Sequence, residues 1–225
     1  MCNGYKKTIT EKKILEVWGY KTYRPFRIYW ILKEYNLAYK SHKIGSRTGQ
    51  TKTKEYLKMN PKGKIPILKH NKNIITESLA AVFYITYNFT KPKDFFIPKT
   101  AFEKAKLDEW CAFSLMELDC LVIYTLRRHE SPQNFGLSNL YGDAPNAVSA
   151  ARNHFNKMIK ACEKSVPKDK WLFGEKPSVA DIIFVSCLLV CEKYNLKINS
   201  DNIVLYLDRA KKRKQYLEAY ADCFT

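Results

Sequence analysis

The sequence lacks any long apolar run. No stretch of its 225 residues approaches the roughly 20 consecutive apolar residues that a membrane-spanning helix needs. The N-terminal segment from Met1 to Lys13 is polar and lysine-rich, and it contains no apolar stretch of signal-peptide length. We therefore expect a cytoplasmic protein with no membrane partner, whose folded part follows a polar leader.

Cysteine pairs with a recognisable spacing are also missing. The seven cysteines are an odd number, and none of them stands in a CxxC or zinc-finger spacing. This pattern favours free thiols in a reducing compartment over a disulfide framework, and it predicts no bound metal. Hydrophobic residues nevertheless make up 46% of the chain, which is enough for a packed core.

Acidic residues are too few to balance the basic ones, and the formal net charge is +17. A protein that binds nucleic acid gathers its basic residues in one patch or arm. Here they are spread from Lys6 to Lys214, and the densest run is only Arg209 to Lys214. The charge therefore predicts a solvated, lysine-rich surface and no nucleic-acid partner, although it can attract small anions.

Strand and helix patterns alternate in the first part of the chain. The order is strand, helix, strand, helix, strand, strand, helix, and the last two strands are spaced as a hairpin. The main segments are extended runs at Ile14–Gly19 and Ala38–Ile44, a helix at Arg24–Tyr35, and a pairing of Ile65–Leu68 with Lys72–Ile75. A parallel crossover followed by an antiparallel hairpin predicts a mixed, four-stranded sheet in an α/β domain over residues 14–90.

The second part of the chain contains only helical patterns. Apolar residues recur at helical spacing from about Phe102 to Arg128, Asn146 to Lys164, Ile182 to Cys191 and Ile203 to Tyr220. We therefore predict an all-helical domain over residues 101–225, separated from the first domain by a proline-containing linker.

Three motifs, in the right order, resemble the glutathione transferase superfamily. Asn60-Pro-Lys-Gly-Lys-Ile-Pro66 looks like the family's N-P-x-G-x-V-P segment, Thr76-Glu-Ser-Leu-Ala80 is similar to the start of its third helix, and Pro177-Ser-Val-Ala-Asp-Ile182 resembles a helix start in its C-terminal domain. Trp110–Phe113 and Glu117–Asp119 are similar to the fourth helix of many bacterial members. The resemblance covers the chain after the leader and implies a thioredoxin-like N-terminal domain, an all-helical C-terminal domain and a homodimer.

The resemblance also implies an activity with glutathione as co-substrate. The enzyme would activate the glutathione thiol as a thiolate for attack on a small electrophile. Two alternatives remain open, namely a non-catalytic assembly or ligand-carrier module, as in some translation factors, and a related glutathione-dependent peroxidase, dehalogenase or isomerase. The intact pairs Ile65-Pro66 and Glu77-Ser78 favour an enzyme over an assembly module.

The family's glutathione-binding residues map onto the first two motifs. The resemblance implies a cis bond before Pro66, with the backbone of Ile65 paired to the cysteinyl backbone of glutathione. Ser78, at a helix N-terminus, would bind the γ-glutamyl carboxylate, and Glu77 would face the γ-glutamyl ammonium. Arg24 and Lys64 are further candidates for the glutathione carboxylates.

The thiol-activating group is expected between the first strand and the first helix. Lowering a thiol pKa from about 8.5 to about 6.5 takes roughly 2.7 kcal/mol, which one charge-assisted hydrogen bond can supply. Aligning Arg24 with the first arginine of the family's S-R-x-x-R-V pattern places Tyr23 at the serine. Tyr23 is therefore the first candidate, Thr22 the second and Tyr20 the third, and the absence of cysteine in this loop argues against the family's cysteine-dependent branch.

The second substrate is expected between the two domains, under the long helix. Phe113 and Tyr124 lie on one predicted face of that helix with Glu117 and Cys120, and they are the candidate second-substrate residues. The same stripe is also compatible with ordinary packing or with a dimer contact. Ser178 and Asp181 are assigned a structural role instead, as the cap of the most apolar helix.

Overall fold

The computed structural model describes residues 14–225. The polar leader predicted for Met1 to Lys13 lies outside the described residues.

The first part of the chain forms a four-stranded mixed sheet. The strands are β1 (Leu15–Trp18), β2 (Tyr39–His42), β3 (Ile67–His70) and β4 (Asn73–Ile75), in the spatial order β2-β1-β3-β4. β1 runs parallel to β2 and antiparallel to β3, and β3 runs antiparallel to β4. The predicted mixed sheet is confirmed. However, β3 begins after Pro66 and extends to His70, so the hairpin turn lies at residues 71–72, directly before β4.

Three helices complete this thioredoxin-like half: α1 (Tyr23–Glu34), α2 (Lys54–Met59) and α3 (Ser78–Asn88). Every residue of α1 from Pro25 to Leu32 is buried. This burial follows from its position, because α1 contacts α3 on one side and helices of the second half on the other. The residues at the start of α1 therefore lie at the junction of the two halves.

Within the described residues, the second half contains helices and no strand, apart from an isolated β-bridge between Trp171 and Gly174. Its first helix, α4 (Ala101–Phe113), continues through π-helical turns at Ser114–Ile123 into α5 (Tyr124–His129), which confirms the long helix expected from the apolar spacing. The remaining helices are α6 (Ser138–Tyr141), α7 (Pro145–Cys162), α8 (Val179–Lys193), α9 (Asp201–Lys212) and α10 (Lys214–Phe224).

Helix α8 is the centre of the helical half, as its apolar sequence predicts. Ser178 and Asp181 form a reciprocal capping box at its start, in which each side chain accepts a hydrogen bond from the other residue's backbone N–H. The Asp181 carboxylate also accepts hydrogen bonds from the backbone of Leu172, at 2.9 Å, and from the hydroxyl of Tyr206. The predicted structural cap is thus present, and it ties α8 to α9.

The single helix predicted from Ile203 to Tyr220 is wrong. The chain is extended at Arg213, which separates α9 from α10. The guanidinium of Arg213 donates two hydrogen bonds of 2.7 Å to Glu34 at the end of α1. The break turns α10 onto α1, where the ring of Tyr216 lies 5.2 Å from those of Phe26 and Trp30.

Within residues 14–225, none of the helices combines the length and apolarity that crossing a membrane would require.

Candidate functional site

The loop before β3 presents the backbone of Ile65. The side chains of Tyr56 and Asn60 donate hydrogen bonds of 2.8 and 2.7 Å to the carbonyl of Lys64, and these bonds hold the loop in place. The Ile65–Pro66 peptide bond is cis, as the sequence predicted. Gly19 allows the close approach of Ile65, because a Cβ on Gly19 would lie 2.9 Å from that of Ile65.

The start of α3 lies beside this loop. Glu77 is the N-terminal cap residue of α3, and its exposed carboxylate forms an ion pair with Lys62 of the loop. Ser78 is buried, and its hydroxyl oxygen accepts a hydrogen bond of 3.2 Å from the guanidinium of Arg27. The first two sequence motifs are therefore joined in space, with a serine and free backbone N–H groups at a helix N-terminus.

A buried ion network connects Ser78 to the helical half. Arg27, which is 2% exposed, donates hydrogen bonds to Ser186 at 2.7 Å and to the carboxylate of Asp119 at 2.8 Å, and Arg24 pairs with the other oxygen of Asp119. Burial raises the pKa of the Asp119 carboxyl, but the charges of Arg27 and Arg24 outweigh it and hold that pKa below its usual range. The network keeps the start of α1 in a fixed place under the site.

The candidate thiol-activating residues lie at the start of α1, on the side of α10. The ring of Tyr23 packs against Phe224, with 5.2 Å between ring centroids. Burial, with smaller contributions from Tyr220, Glu192 and Cys223, raises the pKa of Tyr23 to about 12, so its phenol keeps its proton. Thr22 is the residue before α1, and its hydroxyl forms no capping hydrogen bond.

The two second-substrate candidates are not brought together. Phe113 packs inside the helical half, where its ring contacts those of Trp110 and Phe184. Tyr124 instead faces the sheet domain, where its hydroxyl oxygen lies 3.4 Å from the Nζ of Lys64 and its ring centroid 5.5 Å from the guanidinium of Arg24. Arg24, Lys64 and Tyr124 therefore share one wall of the site, and Phe113 lies elsewhere.

Sequence reasoning missed the roles of three residues. Arg27 falls at the second arginine of the S-R-x-x-R-V pattern and Asp119 in the fourth-helix motif, and nothing in their spacing indicates a pair across 92 positions of the chain. Arg128, whose guanidinium lies 4.8 Å from the Tyr124 ring centroid, gave no signal beyond its place on the same helix.

Sequence models of one family match both halves of the chain. The model for the N-terminal domain of glutathione S-transferase matches residues 14–87, and that for the C-terminal domain matches residues 119–219.

Individual proteins are also similar to the chain. The chain is 32% identical to glutathione S-transferase A of Pleuronectes platessa over 97 residues, a stretch that covers 43% of each protein. It is 31% identical to elongation factor 1-gamma of Prunus avium over 149 residues, a stretch that covers 66% of this chain and 33% of the elongation factor. The chain thus spans less than half the length of either relative. A glutathione transferase of Phanerochaete chrysosporium in complex with oxidized glutathione has the same fold, with a TM-score of 0.77, 20% identity and coverage of 94% of this chain and 96% of that one.

The two motifs joined at the start of α3, the fold and the matches to both domain models lead to one conclusion: the chain belongs to the glutathione transferase superfamily.

Proposed function

We propose that this protein is a glutathione transferase that binds glutathione along Ile65 and Ser78 and activates its thiol for attack on a small electrophile. The observation that carries the proposal is the buried Ser78 at the N-terminus of α3, held by Arg27 beside the Ile65 loop. The Ser78 hydroxyl accepts a hydrogen bond from Arg27 and can still donate its own hydrogen, so this helix N-terminus suits the γ-glutamyl carboxylate, and the Ile65 backbone suits the cysteinyl backbone. Glu77 faces the γ-glutamyl ammonium, and Arg24 and Lys64 lie within reach of the carboxylates.

The test is calorimetric titration of glutathione. We expect Ser78→Ala to weaken binding by about tenfold or more, the effect of losing one hydrogen bond to a charged group. Glu77→Ala should also weaken it, because the ammonium loses its partner. Ser200→Ala is a control for the same change at another helix start, since Ser200 is the residue before α9 and its side chain forms no capping hydrogen bond. Unchanged affinity in both site variants would remove the proposed site.

Thiol activation is assigned to the start of α1. Tyr23 remains protonated and able to donate, and the Thr22 hydroxyl has no capping role that would compete. The thiolate absorbance of bound glutathione should titrate about one to two pH units higher once the true donor is removed. Tyr23→Phe and Thr22→Val are the near-isosteric variants to compare. If neither moves the titration, thiol activation does not depend on these hydroxyls and our assignment is wrong.

A homodimer through α3 and the partner's long helix is part of the proposal. Tyr87 on α3 and Phe102 on α4 are 55% and 75% exposed, and the ring of Phe83 stacks on that of Tyr87. Apolar side chains exposed on these two helices are suited to an interface between copies. Light scattering at micromolar concentration should give twice the chain mass, and a monomer mass would refute the dimer.

The free thiols of the described cysteines favour a reducing, cytoplasmic location.

A non-catalytic assembly module is the second candidate, favoured by the similarity to an elongation factor 1-gamma. The glutathione titration bears on this choice, because an assembly module has less need of the Ser78 site than an enzyme has.

A further inference from the structure

A group of basic side chains surrounds Tyr124 at the junction of the two halves. The guanidinium groups of Arg128 and Arg24 lie 4.8 and 5.5 Å from the centroid of the Tyr124 ring, and the Nζ of Lys64 lies 5.7 Å from it. These side chains come from three separate segments, namely α5, the start of α1 and the loop before β3. The fold therefore gathers positive charge at this place.

The same group extends towards the end of α8. Arg127 precedes Arg128 on α5, and Lys193 is the last residue of α8. Burial and the charges of Arg24 and Arg47 lower the pKa of Arg127, and burial with the charges of Arg47 and Arg127 lowers that of Lys193. Mutual repulsion of this kind requires the side chains to lie near one another. We call the six residues the cationic cluster: Arg24, Arg47, Lys64, Arg127, Arg128 and Lys193.

Carboxylates do not balance the cationic cluster. Arg24 pairs with Asp119, but Arg47, Lys64, Arg127, Arg128 and Lys193 form no ion pair within residues 14–225. The nearby acidic residues Glu130 and Glu192 act electrostatically on Tyr194 and Tyr23, but both already form ion pairs with basic residues outside the cationic cluster. Glu130 pairs with Arg152 at 2.6 Å, and Glu192 pairs with Lys211 at 2.8 Å. A bound anion would relieve the repulsion that the fold leaves uncompensated.

Glutathione does not neutralise all of this positive charge. Its γ-glutamyl carboxylate is assigned to Ser78 and the N-terminus of α3, and Arg24 and Lys64 are sufficient for the rest. Of the four cations that remain, Arg127 and Arg128 belong to α5 and Lys193 to α8, whereas Arg47 follows β2. Three of the four therefore lie in the helical half, and Arg24 connects the cluster to the start of α1, where the thiol is expected.

We propose that the second substrate of this protein is an electrophile that carries a carboxylate or a comparable anionic group, which the cationic cluster holds beside the glutathione thiol. This inference rests on the proposed function and deepens it. An apolar electrophile would gain nothing from unpaired guanidinium groups, whereas a planar carboxylate matches their paired donors.

A matched pair of aryl chlorides tests the inference. The carboxylate probe is 4-chloro-3,5-dinitrobenzoate, and the ester probe is its neutral methyl ester. With either one, the thiolate sulfur attacks the ring carbon that bears chlorine, a C–S bond forms, chloride leaves with the electron pair of the C–Cl bond, and the thiol proton passes to solvent. The quantity measured is kcat/KM for each probe, divided by the rate of its uncatalysed reaction with glutathione.

We expect the corrected kcat/KM of the carboxylate probe to exceed that of the ester probe by about tenfold or more. Arg127→Gln should reduce this ratio by about tenfold, the effect of losing one charge-assisted hydrogen bond, and Arg127→Lys should restore part of it. Lys157→Gln removes one positive charge from the exposed face of α7 and should leave the ratio unchanged. Raising the ionic strength from about 0.01 to about 0.15 M should also lower the ratio, because the Debye length falls from about 30 to about 8 Å.

The outcomes separate this inference from the proposed function. If the ester probe reacts and the carboxylate probe is no better, the inference is overturned and the transferase function stands. If neither probe reacts, the transferase function fails, and the anion site is judged by binding of 3,5-dinitrobenzoate at saturating glutathione. Binding that is weakened by Arg127→Gln but not by Lys157→Gln supports the site. No binding, or competition with glutathione, refutes it, because the cations would then serve glutathione itself.

Discussion

Replacing Asp119 by asparagine should destabilise the protein strongly. The substitution keeps the shape of the side chain but removes the negative charge that Arg27 and Arg24 share. Arg27 is buried and has no other carboxylate partner among the described residues, so the variant leaves a guanidinium uncompensated. Two charges about 4 Å apart at an effective dielectric constant of about 20 interact by about 4 kcal/mol, and breaking a buried pair costs about 3–5 kcal/mol.

The assay is denaturant unfolding, followed by both circular dichroism and tryptophan fluorescence so that separate unfolding of the two halves is detected. In a thermal melt of a chain of this length, a loss of about 3–5 kcal/mol in the free energy of unfolding corresponds to a fall in Tm of roughly 6–20 °C. Asp108→Asn is the matched control, because Asp108 lies on the same long helix in an exposed pair with Lys104 and should cost less than about 1 kcal/mol. A double substitution of Arg27→Met with Asp119→Leu should recover part of the loss.

The pH dependence follows from the lowered pKa of Asp119. Its contribution to the free energy of unfolding is complete above the unfolded-state value of about 3.9 and is lost as the pH falls through the folded-state value. The difference between the wild type and Asp119→Asn should therefore shrink in acid. A loss no larger than that of Asp108→Asn at neutral pH, or a difference that does not change with acid, would refute a charged network.

Two further predictions concern the helical half. Arg213→Ala should lower the free energy of unfolding by about 2–3 kcal/mol, because Glu34, whose side chain is 1% exposed, loses two charged hydrogen bonds. Lys214→Ala removes an exposed ion pair and should lower the free energy of unfolding by less than about 0.5 kcal/mol. Equal losses of the two variants in thermal melts would contradict this. Ser178→Ala should cost about 1–2 kcal/mol through the lost capping box, and Ser200→Ala should cost clearly less, since Ser200 caps no N–H; indistinguishable melts would show that the box is not stabilising.

Local patterns predicted most of the fold. Alternating strand and helix signals and turn residues are written in contiguous sequence, so the mixed sheet, the cap of α8 and the long helix could be inferred from it. The break at Arg213 could not, because no proline or glycine marks it. It is stabilised by Glu34, which lies 179 positions away along the chain. An interaction of that separation leaves no periodic signal in either segment.

The candidate site was predictable where a motif carried it and not where tertiary packing did. Ile65, Pro66, Glu77 and Ser78 lie in motifs with a fixed local geometry, and the structure joins them. Phe113 and Tyr124 were paired by helical spacing alone, and the structure directs only Tyr124 to the junction. The choice among the hydroxyls near Tyr23 depends on how α10 packs over α1, which the sequence of the loop does not contain.

The π-helical turns of the long helix have a consequence for its angular phase. In an α-helix, two residues five positions apart are rotated by roughly 140° from each other, on different sides. Through the π-helical stretch the backbone N–H of Tyr124 bonds instead to the carbonyl of Asp119, which brings these two residues onto one side. Arg24 can therefore reach both, as ion partner of Asp119 and as neighbour of the Tyr124 ring. Deleting a single residue between them would let the stretch return to an α-helix with the two residues four positions apart, about 40° from each other and still on one side. The π-helical turns therefore accommodate additional chain length while the ion pair of Asp119 and the ring of Tyr124 stay on the side that faces Arg24.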